Sequence, residues 1–198
     1  MKKLRKIAAA FLLAIGACSL TSCNYNSLVE KEQNVDQAWA QVENQYQRRA
    51  DLIPNLVNTV KGYAEHESTT LQSVTNARAG LTKAYDAAKA TEATPENIEQ
   101  YQQAQSNLKG ALDIYVNAVR EAYPDLKANT NFINLQTQLE GTENRISTER
   151  MRYTEAVKDY NTSIKKFPTN IYAGWFGFKE KPQFKAEPGA NKAPTVEF

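Results

Sequence analysis

Apolar side chains recur every three or four positions over most of this chain. Val35, Trp39, Val42, Tyr46, Ala50, Ile53, Val57, Val60 and Ala64 form one such series, the signature of a helix that buries a single stripe against its neighbours. It predicts a first helix over residues 28–63. Leu71, Val74, Arg78, Leu81, Tyr85 and Ala88 keep the same spacing. An unbroken helix from 28 to 88 would reach about 90 Å with little chain left to cover it, so Gly62 and the polar run Glu65–Thr70 predict a turn and a separate second helix. Thr94-Pro95-Glu96-Asn97 is a helix start, with a Thr cap, a proline at the first helical position and an acid in the first turn. The third stripe follows as Ile98, Tyr101, Gln105, Leu108, Leu112, Tyr115, Val119 and Ala122, until Tyr123-Pro124-Asp125 interrupts it. Phe132, Leu135, Leu139, Ile146, Tyr153, Val157, Tyr160, Ile164 and Phe167 make the fourth, and Pro168 stops it.

The fold class these stripes predict is all-α: an antiparallel four-helix bundle over residues 28–167, with long first and last helices joined by short connections. Residues 168–198 form an irregular tail rich in aromatics and proline. In an up-down-up-down order both chain ends meet at one pole, and the turns near Gly62–Thr70 and Tyr123–Asn129 lie at the other. Setting residue 30 opposite 167 makes facing positions add to about 197, which puts Arg49 against Thr148 or Glu149. Arg49 and Glu149 are thus a candidate structural pair, partly buried and fixing the register; the alternative is an exposed charged face of little energetic weight. Pro54 predicts a kink near Ala50.

The N-terminus follows a different rule. Lys2, Lys3, Arg5 and Lys6 precede an uncharged run from Ile7 to Leu20 and then Thr21-Ser22-Cys23, the order of a secretory signal peptide over residues 1–22. A membrane span needs about 20 apolar residues, more than this run holds. Leu20-Thr21-Ser22-Cys23 matches the bacterial lipobox, so Cys23 is the expected lipidation site: diacylglycerol enters through a thioether, and residues 23–27 become a lipidated N-terminus and short linker. Cys18 could be read the same way with a shorter apolar core, and a Cys18–Cys23 disulfide is a further alternative. Two or three acyl chains give stable attachment without a spanning helix.

With the basic leader set aside, acidic and basic residues nearly balance, and nothing calls for nucleic acid. His66 is the single histidine, set between Glu65 and Glu67; a metal or general-base site would need further ligands or an orienting partner, and a turn role fits it better. The Ser and Thr residues have no triad context, and there is no phosphate-binding loop. No cofactor is expected beyond the covalent lipid. In the tail, Trp175, Phe176, Phe178, Phe184 and Phe198 are too dense to be left in water. Either they fold back on the apolar end of the bundle, or Trp175, Phe176 and Phe178 sit in the headgroup layer beside the anchor.

Tyr25-Asn26, Trp39, the run from Arg48 to Val57, Gly62-Tyr63, His66-Glu67, the run Tyr123-Pro124-Asp125-Leu126-Lys127-Ala128-Asn129, Thr142-Glu143-Asn144, Tyr160-Asn161, Phe167-Pro168 and Phe176-Gly177-Phe178 resemble the LemA family in order and spacing. The resemblance implies a helical bundle anchored in the bacterial envelope with its bulk outside the cytoplasm, no established enzymatic activity and no known catalytic residues. It also brings in magnetosome-membrane proteins as members. Many members keep an uncleaved N-terminal helix where this chain has a lipobox, which changes the anchor and leaves the orientation. The expected role is a non-catalytic scaffold or interaction module for an envelope protein, with self-association through a surface stripe open to it. The alternative is a small-molecule or lipid-binding helical module.

Overall fold

The computed structural model describes the backbone of residues 2–62, 68–90 and 95–184 and the side chains of 25–62, 70–86 and 96–184. Among these residues the chain is all-helical: α1 (Lys2–Lys61), α2 (Ser68–Ala90), α3 (Pro95–Ala122), α4 (Pro124–Lys127), α5 (Thr130–Lys165) and α6 (Thr169–Tyr172). The break between the first two helices falls where glycine and the polar run placed it. α3 begins at Pro95, which fits a first helical position because its missing amide would be unpaired there anyway. At the third predicted boundary Pro124 opens the single turn of α4, and Asn129 then caps α5 by accepting from the amides of Asn131 and Phe132 at 2.9 and 3.1 Å.

One boundary differs from expectation. Residues 23–27, expected as a linker, are helical, because no proline lies upstream of Pro54 to interrupt α1. Pro54 itself lies within α1 without ending it; Ile53 and Leu56 on either side of it are buried, so packing holds the helix through the lost hydrogen bond.

α1 lies along α5, and α2 along α3. The α1–α5 pair is antiparallel: Lys31 meets Asp159 at 2.6 Å, the Trp39 and Tyr153 rings lie 5.3 Å apart, and Arg49 meets Glu143 at 2.8 Å. These partner numbers add to 190–192, not 197. α5 already ends at Lys165, so Ile164, and not Phe167, closes the seam beside Leu28; a shift of five residues is about 7.5 Å of helix rise. Tyr101 of α3 links the pairs, with its ring 6.1 Å from Trp39, 5.5 Å from Tyr46 and 5.8 Å from Tyr85.

One apolar core runs through α1, α2, α3, α4 and α5 and includes Leu56, Val74, Leu108, Tyr115, Leu126, Phe132, Ile146 and Tyr160. The buried line on α1 passes through Arg49 and Leu56, with Ala50 and Val57 on its flank. Thr142 is a buried polar member of the α5 stripe; its hydroxyl donates to the Gln138 carbonyl at 2.7 Å.

Burial raises the pKa of three core phenols. Tyr160 is pushed up to about 12, by loss of water and then by Glu32 and Asp36. Tyr101 and Tyr153 are raised further, chiefly by burial; Gln105 opposes the shift at Tyr101, and Asp36 adds to it at Tyr153. An unfolded tyrosine titrates near pH ~10, so the folded state holds these protons more tightly. The stabilisation is fully present below that pH and is lost as pH climbs toward the folded values. The urea midpoint should hold level up to about pH 9.5 and fall steeply above about pH 10; a level midpoint through pH ~11.5 would contradict this. The Tyr160 hydroxyl has no hydrogen-bond partner among the described residues. Tyr160→Phe should therefore match the parent within about 1 kcal/mol at neutral pH and show a shallower alkaline fall, measured by the same denaturation series.

Candidate functional site: a buried arginine and an aromatic end

Two places stand apart from ordinary helix packing. The first is Arg49, only 4% exposed. A buried guanidinium is costly unless its donors are satisfied. Nη1 donates to the Glu143 carboxylate at 2.8 Å, and Nη2 donates to the Gln105 carbonyl at 3.2 Å and also to the Gln105 side-chain oxygen. The cation lies 5.5 Å from the Tyr46 ring centre, a favourable face for charge. Arg49 thus ties α1 to both α3 and α5. It also lines a groove of about 610 Å³ between α3 and α5, where Lys109, Asp113, Arg120, Glu140 and Glu143 bring both signs of charge.

The Arg49–Glu149 pair is not formed. Glu149 instead accepts from Arg152, one turn along its own helix, at 2.8 Å, because the register places position 143 opposite 49. The carboxylate that meets Arg49 lies six residues before Glu149.

The second place is the pole where α1 and the tail meet. After α6, Phe176 donates its amide to the Tyr172 carbonyl and Phe178 to that of Ala173. Gly177 takes φ +83° at this reversal, a left-handed conformation that strains any residue bearing a Cβ. The chain then runs back along α5 as a strap. Asn161 donates to the Lys181 carbonyl at 2.8 Å and accepts from the Lys181 amide at 2.9 Å. Lys181 Nζ reaches Glu32 at 3.0 Å and Asp36 at 3.6 Å, and the Tyr153 hydroxyl donates to the Pro182 carbonyl at 2.9 Å. Phe184 finishes the strap against Tyr153 at 5.1 Å and Trp39 at 5.8 Å.

This reversal sorts the tail aromatics. Phe178 is 8% exposed and belongs to the core, so of the three expected at an interface it is the one that caps the bundle. Trp175 is 83% exposed and Phe167 80%, with Phe176 and Ile171 more than half exposed. Tyr25 of α1 joins them, its ring 5.2 Å from Phe176 and 5.6 Å from Phe178. The side chains of Cys18 and Cys23, together with His66 and Phe198, lie outside the described residues. The strap residues Asn161, Lys181 and Phe184 escape periodicity, although Asn161 carries the paired donor and acceptor that can stand in for a backbone rung.

The hydroxyls have structural work. Those of Thr59, Thr75, Thr82, Thr137, Thr148, Thr154 and Ser163 each donate to the carbonyl four residues back, which holds them on the helix surface. Among the described residues no group of three or more His, Cys, Asp or Glu converges to hold a metal ion, and no helix is long and apolar enough to cross a membrane.

The LemA family model matches residues 38–198. The chain belongs to the LemA family. Protein LemA of Metamycoplasma hominis is 26% identical over 167 residues, covering 82% of this chain and 70% of that relative. Magnetosome protein MamQ of Magnetospirillum gryphiswaldense is 24% identical over 205 residues, covering 93% and 75%. Magnetosome protein MamQ 2 of Paramagnetospirillum magneticum is 35% identical over 79 residues, a match that spans 40% of this chain and 29% of that relative. The LemA match contains Arg49 with Glu143 and the aromatic turn from Phe167 to Phe178, while Tyr25 of the second place precedes it.

A double-mutant cycle on Arg49 and Glu143, read by urea denaturation, should give a coupling of about 1–3 kcal/mol. The same cycle on Arg49 and Glu149 should give a value near zero. A larger coupling to Glu149 would contradict the register.

Proposed function

We propose that this LemA protein is a lipid-anchored, non-catalytic envelope protein whose bulk lies outside the cytoplasm and acts as a scaffold or protein-interaction module. The observation that carries the reading is the meeting of Tyr25 with Phe176 and Phe178. It brings the end of α1 that follows the lipobox to the same pole as the tail. The two helix pairs, joined through Tyr101, close on this reading into an antiparallel four-helix bundle. Lys61, Ser68 and the segment from Ala122 to Thr130 then stand at the far pole, some 50 Å away by the rise of α1 from Leu28, facing a partner in the envelope. The core is filled by aromatic rings, which favours a rigid rod. Engagement of the helix hydroxyls by backbone carbonyls speaks for structure over catalysis. That two relatives are magnetosome proteins suits a part in an assembly.

A second reading has one observation of its own. The groove between α3 and α5, with Arg49 in its lining and charges of both signs on its walls, has the size of a small-ligand site and would take a polar molecule able to displace Glu143 from Arg49.

The anchor is tested at one sulfur. Cells fed radiolabelled palmitate should label the parent and not Cys23→Ala, and the variant should keep its leader and run at higher mass. A parent that carries no label, or a variant labelled equally, would remove the anchor.

A further inference from the structure

We propose that the turn carrying Phe167, Ile171, Trp175 and Phe176 is a bilayer seat, its side chains entering the headgroup layer and fixing the tilt of the rod. This rests on the anchored reading above. Four large apolar side chains, each more than half exposed, project within ten residues of one another. Exposed apolar clusters on a soluble surface mark contact sites, whereas Phe178 and Phe184 of the same tail pack against the core.

Position names the occupant. Tyr25 stands against Phe176 and is two residues from Cys23, about 3 Å of helix rise. Acyl chains on that cysteine put the headgroups at the height of the patch. Trp and Tyr are the side chains that favour this layer, with an apolar body and a polar edge. Charge agrees: from Lys165 to Glu180 the chain carries Lys165, Lys166 and Lys179 against Glu180 alone, an excess that draws anionic lipid. Gly177 makes the seat and the strap one unit, since its left-handed turn sends Phe178 inward immediately after Phe176 points out. A second copy of the chain would cover the patch only by displacing the lipid that Cys23 brings there.

Tryptophan emission reads the seat, because Trp175 is exposed and Trp39 packs among Tyr101, Tyr153 and Phe184. The mature lipidated protein is reconstituted in phosphatidylcholine–phosphatidylglycerol vesicles, with and without brominated acyl chains, beside Trp175→Phe, and both are tested for flotation. Bromine should remove most of the emission that Trp175 contributes, leave the Trp175→Phe emission unchanged, and leave flotation of both intact. Flotation without quenching of Trp175 overturns the seat and spares the anchor. Failure to float overturns the anchor; if excess vesicles then still quench Trp175, the seat stands alone, and if they do not, both fall. A blue shift of Trp175 that grows with protein concentration and ignores bromine assigns the patch to a second copy and overturns the seat.

Discussion

Arg49 is where three helices are made to agree. Its charge is almost wholly removed from water, so the guanidinium must find acceptors where the helices bring them: its two Nη groups find them on α3 at Gln105 and on α5 at Glu143, while Nε has none among the described residues. A slip of α5 would pull Glu143 away from a buried cation, a larger cost than the few contacts that apolar side chains exchange when they slide. Aliphatic and aromatic packing supplies most of the stability of such a core, but it is nearly indifferent to register. The ionic contact is not, and the ring cluster of Trp39, Tyr46, Tyr101 and Tyr153 is arranged around the spacing that it imposes.

The helices were legible because periodicity is strong and punctuation is sparse. Pro95 and the Tyr123-Pro124 interruption gave boundaries that the fold respects, and Pro168 stands just beyond the end of α5. Register was not legible to the same degree. Apolar identity draws the α1 stripe through Ala50 and Val57, whereas the buried line runs through Arg49 and Leu56; a helix stripe is wide enough to admit both, and only the facing helix decides. The same limit moved the partner of Arg49 from Glu149 to Glu143. Phe167 keeps the apolar spacing but lies past the last turn of α5, so spacing alone carries the seam too far along the chain.

The tail shows what pattern alone leaves out. Six aromatics among prolines announce burial somewhere without saying which ring goes in. The answer is set by a backbone reversal at Gly177 and by Asn161, whose amide group holds Lys181 in place from the side of α5. Phe178 and Phe184 follow the strap into contact with the body, and Trp175 and Phe176 are left on the outer side of the bend. No periodic signal encodes that division, because it depends on one left-handed residue and one side chain that mimics a main-chain rung.

The antiparallel pairing of α1 with α5 also has a mechanical meaning. A tug on the far ends of the helices, resisted where the chain begins, loads α1 lengthwise against its neighbour. Every interlocked side chain between Leu28 and Val60 then shares the stress at once, as in a lap joint, and the Arg49 contact acts as a pin across it. Peeling, which would break the contacts one turn after another at small force, requires a sideways pull, and the strap that binds Lys181 to Glu32 and Asp36 blocks that motion at the near end.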